Sequence, residues 1–509
     1  MLETNIPLQK TSTDRQITLR TRWLLVLLFI ITVISRIIFA AEIVHPGDAG
    51  NFTLAVEHFD VRLEQPQMPG MFILFILFAR AFNLFLGDPH ASLIAVNILA
   101  SAIAVVMLFI IGREWFNAKV GWTASLLMMT SPALWHRSEV ALSHVTEFGW
   151  VLLIDFAAYR TGLGQRQALL LLGFLMGLAG GIRPSTPFFL LPFALFAVYR
   201  GLRTRGFRLR DVGLAFLVGF AGIAIWLIPL IQFSGGWNTY WQLVQAWLPL
   251  HTQRQDADSL VKVLDNFLQF SKALLRIVGI ALLPMLWMIF RQKVSWIRRA
   301  WPRRWPAQSL VLSVLPGCLY FLLVHLRRKD QTFTVMPGFI LMASCCVVAL
   351  GERLQSRYRY ALAWVVGITV GLNGLYFLLG PDGLPTARAL RNYDLEFTPS
   401  IEYIRETFPP ETTVVMTHPY YFRLSDIYFP DYQAPQLSSN IRDEPMPLAP
   451  PIRNFVLLGD RVFRKPGQDD GFQREVVSEQ GIVVRSLTWT EDQMLWVTRR
   501  SAELRPAQE

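Results

Sequence analysis

Charge is scarce in this chain. Only 17% of its 509 residues are charged and 53% are hydrophobic, whereas a soluble globular protein carries about 25% charged residues. That deficit excludes an ordinary soluble enzyme, since too little polar surface remains to solvate the chain. Cysteine is rarer still: Cys318, Cys345 and Cys346 are the whole supply, and all lie inside apolar blocks. Neither a disulfide framework nor a zinc-type spacing can be built from them. No His/Asp/Glu group has metal-ligand spacing, although His45 and Asp48 lie close together, so no cofactor is assigned and a divalent metal stays open. Internal repeats and inverted halves are also missing, and with them the paired-half plan of many transporters.

What the chain has in abundance is Leu, Ile, Val and Phe, in blocks of about 17–22 residues, enough to cross ~30 Å of hydrocarbon. The net charge of +11 does not point to a nucleic-acid partner, because the cations fall in short tracts between these blocks. Arg200, Arg203, Arg205, Arg208 and Arg210 form one tract; Arg291, Lys293, Arg298, Arg299, Arg303 and Arg304 form another. Cytoplasmic loops have this composition. Lys10, Arg15, Arg20 and Arg22 precede the first block, Trp23 to Ala40, which places the N-terminus in the cytoplasm.

Ten further blocks read as spans, at about 91–111, 118–134, 145–160, 167–182, 185–199, 212–233, 273–290, 308–325, 333–350 and 360–379. Basic residues recur at every second junction, which leaves the tail outside. The block from Met71 to Leu86 would invert every later loop if it crossed. At about 16 residues with Arg80 inside, it reads as a juxtamembrane helix on the outer face. Trp115, Trp122, Trp135, Trp237, Trp247 and Trp296 lie at predicted borders, where an aromatic belt belongs. The expected architecture is an all-α polytopic membrane protein of about eleven spans over residues 1–383, probed from outside by a small α/β domain over 384–509. In that tail, Thr412–Met416, Asn454–Leu458 and Ile482–Val484 read as strands, Ile401–Phe408 has helical spacing, and no catalytic motif is evident.

Ionisable residues at a membrane border are costly, so each is a candidate for function. The first outer loop carries His45, Asp48 and Asn51 in Glu42-Ile-Val-His-Pro-Gly-Asp-Ala-Gly-Asn. Asp48 there suits proton abstraction from an acceptor hydroxyl while a lipid-linked donor enters from the bilayer; a solvated turn capped by Asp48 beside Gly47 and Gly50 is the structural alternative. The next outer loop supplies Arg137, Glu139 and His144, and Glu147 sits in the first turn of a span. It can orient an acceptor, or it can pair with Arg137 or Arg183. Arg183 follows Gly180-Gly181-Ile182 in a tight turn, and Arg327 and Arg328 occupy another turn on the same face. Cations on that side run against the charge rule and call for an anion, either a substrate phosphate held by guanidinium forks or phospholipid headgroups.

An acidic first outer loop, a proline-containing patch opening a hydrophobic helix, the Ser131-Pro132 loop with a downstream acid, the Gly-Ile-Arg-Pro turn and the late His325…Thr334-Val-Met-Pro337 segment resemble the GT-C membrane glycosyltransferases. The likeness spans roughly 20–350 and is strongest to the dolichyl-phosphate-mannose protein mannosyltransferase and aminoarabinose-transferase branch. It implies inverting transfer of a sugar from a polyprenyl-phosphate-linked donor to a lipid, glycan or protein acceptor. By the same resemblance, the reaction takes place on the extracytoplasmic face of what is expected to be a bacterial plasma membrane. Asp48 becomes the general base, Glu147 a second acid, and His45, Asn51, Glu139 and His144 substrate-binding residues. Arg137, Arg183, Arg327 and Arg328 become the phosphate-binding set. Gln67-Met68-Pro69-Gly70 and Thr334-Val335-Met336 depart from the family's His-Pro-Pro patch and tyrosine, which leaves the sugar and acceptor open. A transporter or flippase of a lipid-linked or small polar substrate is the second class considered, and a non-catalytic scaffold for the tail the third.

Overall fold

The protein was analysed as a computed structural model, which describes residues 18–58, 72–252, 259–292, 304–324, 329–417, 422–432, 446–447, 453–458, 473–478, 482–488, 495–497 and 504–506. Helices dominate the first 380 residues, as long apolar runs require where water is absent to satisfy backbone groups. In order they are α1 (Leu19–Ile37), α2 (Asp48–Glu57), α3 (Ile73–Leu86), α4 (Pro89–Trp115), α5 (Ala118–Thr130), α6 (Pro132–Ser138), α7 (His144–Gly162), α8 (Arg166–Ile182) and α9 (Ser185–Arg203). There follow α10 (Leu209–Phe233), α11 (Trp237–Thr252), α12 (Ser259–Val278), α13 (Leu282–Gln292), α14 (Arg304–Leu319), α15 (Met336–Gln355) and α16 (Ala361–Leu379).

Seven helical stretches among the described residues are long and apolar enough to cross a membrane: α4, α9, α10, α15, α16, Leu260–Met288 and Trp305–Val324. The apolar side chains of α1, α10 and α16 that face outward belong to no protein core: Leu27, Ile30, Phe216, Leu217, Phe220, Trp364 and Ile368 are all exposed. In water such a surface would aggregate; in lipid it is solvated. The short block at 73–86 forms α3, whose 14 residues reach about 21 Å, short of the ~30 Å hydrocarbon layer. Its first half is buried, with Ile73, Leu74, Phe75, Ile76 and Ala79 packed inward.

The expected block 273–290 is part of a longer unit. Gly279, at φ +61°, separates α12 from α13, and Asn373 on α16 fills the break: its Oδ1 accepts from Ile280 N at 2.8 Å and its Nδ2 donates to the Val278 carbonyl at 3.3 Å. α8 and α10 pack closely because Gly173 and Gly177 face Ala215, Gly219 and Gly222; a Cβ on either of the first two would overlap the backbone of α10. Two of the tryptophans expected in a lipid belt are interior instead. Trp115 packs on Tyr159 and Phe193, and Trp135 stacks on Phe377 at 4.3 Å between ring centroids. Indole at a helix end is as useful for closing the core as for meeting headgroups.

The two ends of the bundle differ. One carries peripheral ion pairs: Lys119–Glu352 at 2.6 Å, Arg160 with Glu114, and Arg166–Asp211 at 2.8 Å. The other collects α2, α3, α6 and the C-terminal segment. There α17 (Ala387–Thr407) lies over a four-stranded sheet of order β1-β3-β5-β4, in which β1 (Thr413–Thr417) and β3 (Asn454–Leu458) pair in parallel. β4 (Gln473–Val476) and β5 (Val483–Thr488) complete it antiparallel. Phe397, Ile401 and Ile404 from α17 join Val415, Val456 and Val484 from the sheet in one core, which also takes in Phe52, Phe72 and Phe75. The short α18 (Phe422–Tyr428) bridges the sheet to α2. β2 (Met446–Pro447), β6 (Leu495–Val497) and β7 (Leu504–Pro506) form a second, small sheet.

Candidate active site

Glu147 is fully buried in the first turn of α7. A carboxylate without water needs several donors, and it has them. Arg183 Nη1 donates to Oε2 at 2.8 Å, while Thr186 Oγ1 and Thr334 Oγ1 donate to Oε1 at 3.0 and 2.6 Å. Arg183 Nη1 also lies 3.2 Å from His144 Nδ1, and the His144 ring packs against Phe333. One acid therefore ties together α7, the Gly-Ile-Arg-Pro turn and the Lys329–Thr334 turn, three segments far apart in sequence. Of the two structural partners expected for Glu147, Arg183 is the one observed. Among the described residues, no hydrogen bond is made by Nε or Nη2 of Arg183, whose side chain is 10% exposed.

Phe72 links this cluster to the first loop. Its ring lies 5.8 Å from the Arg183 guanidinium carbon and 5.2 Å from the ring of Phe52 on α2. Phe72 has φ +67°, a left-handed conformation that a bulky residue adopts only where its surroundings impose it. One turn before Phe52, Asp48 opens α2 in a half-buried position. Gly47 precedes it at φ +87°, ψ −131°, which only glycine adopts freely. The N-cap of α2 is Gly47, and Asp48 is the acidic residue of the helix's first turn. The Asp48 carboxylate makes no hydrogen bond or ion pair with any described residue.

The remaining predicted residues have other neighbours. His45 stacks on Tyr393 of α17 at 4.4 Å and meets His136 edge-on at 6.0 Å. Burial, reinforced by His136, Arg137 and His90, pushes its imidazole well below the ordinary histidine range, so it is neutral at physiological pH. Its Nε2 is enclosed without a partner. Asn51 is buried and its Oδ1 accepts from Arg423 Nε at 2.9 Å. Arg137 is partly buried beside this group. Glu139 is fully enclosed near Arg36 and Trp135; burial holds its carboxyl well above the usual range despite the Arg36 charge and the Trp135 indole. Arg327 and Arg328 lie outside the described residues.

Two further buried charges lie outside the candidate set. Arg36 on α1 is buried, donates to the Met129 carbonyl at 2.6 Å and lies over the Trp135 ring at 4.5 Å. Asp155, two turns below Glu147 on α7, accepts from Ser313 at 2.8 and 2.9 Å inside the bundle. Each is a charge within an apolar block, Arg36 in 23–40 and Asp155 in 145–160, and both were detectable by scanning spans for charge.

Comparison with known proteins adds the family context. Residues 68–228 match the family described as dolichyl-phosphate-mannose-protein mannosyltransferase. Two crystal structures of ArnT from Cupriavidus metallidurans, one in the apo state and one bound to undecaprenyl phosphate, each superpose with a TM-score of 0.52. The alignments cover 92% of this chain and 98% of ArnT at 15% identity. The chain has the GT-C glycosyltransferase fold. An oligosaccharyltransferase from Archaeoglobus fulgidus aligns over 91% of this chain and 72% of its own at 11% identity, with a TM-score of 0.47. No curated protein matches the sequence. Within the GT-C fold, the family match runs from just before α3 into α10 and so includes Glu147 and Arg183 but not Asp48.

Proposed function

We propose that this protein is a membrane glycosyltransferase that moves a sugar from a polyprenyl-phosphate-linked donor to an acceptor hydroxyl at the extracytoplasmic face, with inversion. The undecaprenyl phosphate of ArnT is the class of lipid assigned to the leaving group. The observation that carries the reading is the contrast among the candidate acids. Glu147 is buried and saturated by three donors, Glu139 is enclosed, and Asp48 is half-exposed with a carboxylate unengaged by any described residue. A general base must reach a substrate proton, and Asp48 meets that requirement.

In the reaction, Asp48 takes the proton of the acceptor hydroxyl as its oxygen attacks the anomeric carbon. The bond from that carbon to the phosphate oxygen breaks, and its electron pair leaves with the polyprenyl phosphate. Arg183, held in place by Glu147, is assigned to that developing charge; fixed donors of this kind stabilise the transition state without reorganisation. Arg327 and Arg328, immediately before the turn that docks Thr334 on Glu147, complete the phosphate-binding set. Residues 384–509 form the extracytoplasmic unit, and the cation-rich junctions at the opposite end of the bundle face the cytoplasm.

The test is turnover of undecaprenyl-phosphate-linked sugars, read as release of undecaprenyl phosphate. Asp48→Asn is expected to abolish release by a protein that is folded and inserted. An Asp48→Asn enzyme with wild-type turnover would overturn the base assignment. Arg183→Lys keeps charge but loses the fork, and should weaken turnover by roughly 10–100-fold.

A further inference from the structure

The expected tail carried no catalytic motif, yet its side chains reach the segment that presents Asp48. The Asp394 carboxylate accepts from Ile43 N at 3.0 Å and from Glu42 N at 3.2 Å. Val44 N donates to the Tyr428 hydroxyl at 2.9 Å, and the Tyr393 hydroxyl donates to the Val44 carbonyl at 3.2 Å. The Tyr393 ring then stacks on His45. Three consecutive backbone amides of a non-helical stretch thus find their partners in α17 and α18. On the other side of Asp48, Arg423 of α18 holds Asn51 through Nε and pairs with Asp426 through Nη1 at 2.8 Å. Gly50 allows this approach, since a Cβ there would meet Arg423 Cβ at 2.5 Å.

We propose that Asp394, Tyr393, Tyr428 and Arg423 are positioning residues for transfer, a clamp by which the C-terminal segment fixes the loop that carries Asp48. The loop is pinned three residues before Asp48 at His45 and three residues after it at Asn51. Between the pins stands Gly47, whose backbone conformation has no steric restraint of its own. Backbone outside helix and sheet takes its conformation from whatever satisfies its N–H groups, so the clamp sets where the carboxylate points. A base displaced by about 1 Å loses on the order of 100-fold in rate.

This proposal rests on Asp48 as the base, and the experiment separates the two. The purified chain in nanodiscs of phosphatidylethanolamine and phosphatidylglycerol is followed by amide hydrogen exchange over residues 42–51 and by turnover of undecaprenyl-phosphate-linked sugars. The double variant Asp394→Ala/Tyr428→Phe should speed exchange at residues 42–44 by at least about 10-fold and lower kcat on the order of 10–100-fold, while KM for the donor stays within about two-fold. Asp394→Asn, which keeps one acceptor oxygen, should restore much of kcat. Unchanged exchange at 42–44 overturns the clamp, and faster exchange with unchanged kcat overturns its catalytic role. A parallel loss of folded protein that accounts for the whole fall in turnover would reduce the contacts to docking and sink the proposal. Failure of the base assignment is distinct: Asp48→Asn would stay active whatever the exchange data show.

Discussion

At the scale of single residues, Glu147 and Asp48 illustrate how one residue type takes two roles according to its partners. The oxygens of Glu147 are used by Arg183, Thr186 and Thr334. Removing one member of a buried ion pair leaves an uncompensated charge and costs about 3–5 kcal/mol. Glu147→Ala should therefore lower unfolding stability by about that amount, in addition to its effect on turnover, whereas Thr334→Val should cost about 1–3 kcal/mol by the loss of one donor to a buried carboxylate. Chemical unfolding in detergent with near-ultraviolet circular dichroism measures both. Equal effects from the two changes would mean that Arg183 is compensated elsewhere. Glu147 and Arg183 were legible as candidates because charge at an apolar border is conspicuous in sequence; which Thr hydroxyls complete the shell was not, since Thr334 lies 187 residues away.

At the scale of elements, the close contact of α8 with α10 depends on what is missing. Gly173 and Gly177 stand one turn apart on α8, opposite Ala215 and Gly219 on α10, with no room for a side chain between the backbones. Without a hydrophobic drive between helices in lipid, such close approach is what makes association favourable. Gly177→Val should push α10 away from α8 and destabilise the bundle by about 1–3 kcal/mol or more, shown by a lower midpoint in detergent unfolding. Gly213→Val on α10, where a Cβ meets nothing within 4 Å, is the control and should leave the midpoint unchanged. The Gly-x-x-x-Gly spacing at 173–177 was available in the sequence as a signal. The break at Gly279 was not, because hydropathy continues through it and only Asn373, 93 residues on, makes it a defined joint.

At the scale of the whole molecule, the C-terminal segment and the membrane bundle are joined through the loop near Asp48. Asp394 is central to that joint and its carboxyl is pushed up to about 6, first by burial, against the pull of the Ile43 and Glu42 amides, with the Glu42 charge adding to the rise. The sign follows from linkage: a carboxyl raised in the folded state favours folding when protonated, and that contribution is lost as pH rises from its ordinary value of 3.8 through about 6. Unfolding stability, read by chemical denaturation in detergent, should accordingly receive more from this group at pH 5 than at pH 7, although the two amide contacts themselves favour the ionised carboxyl. Asp394→Asn should flatten the profile across that window. A wild-type profile already flat there would show that water or relaxation offsets the burial.

Sequence by itself determined what depends on local composition and period. Apolar runs marked where the long helices lie, and charge scarcity excluded an ordinary soluble chain. The strands near 413–417 and 454–458 were also readable, because alternation and bulky β-branched residues act over a few positions. Tertiary structure decided what depends on contact across the chain. It placed Trp115 and Trp135 inside the core, spent the oxygens of Glu147 on three distant donors, and brought Asp394, Tyr428 and Arg423 more than 350 residues back to the Asp48 loop. Backbone amides look alike in sequence, and only the fold determines which side chain will accept from them.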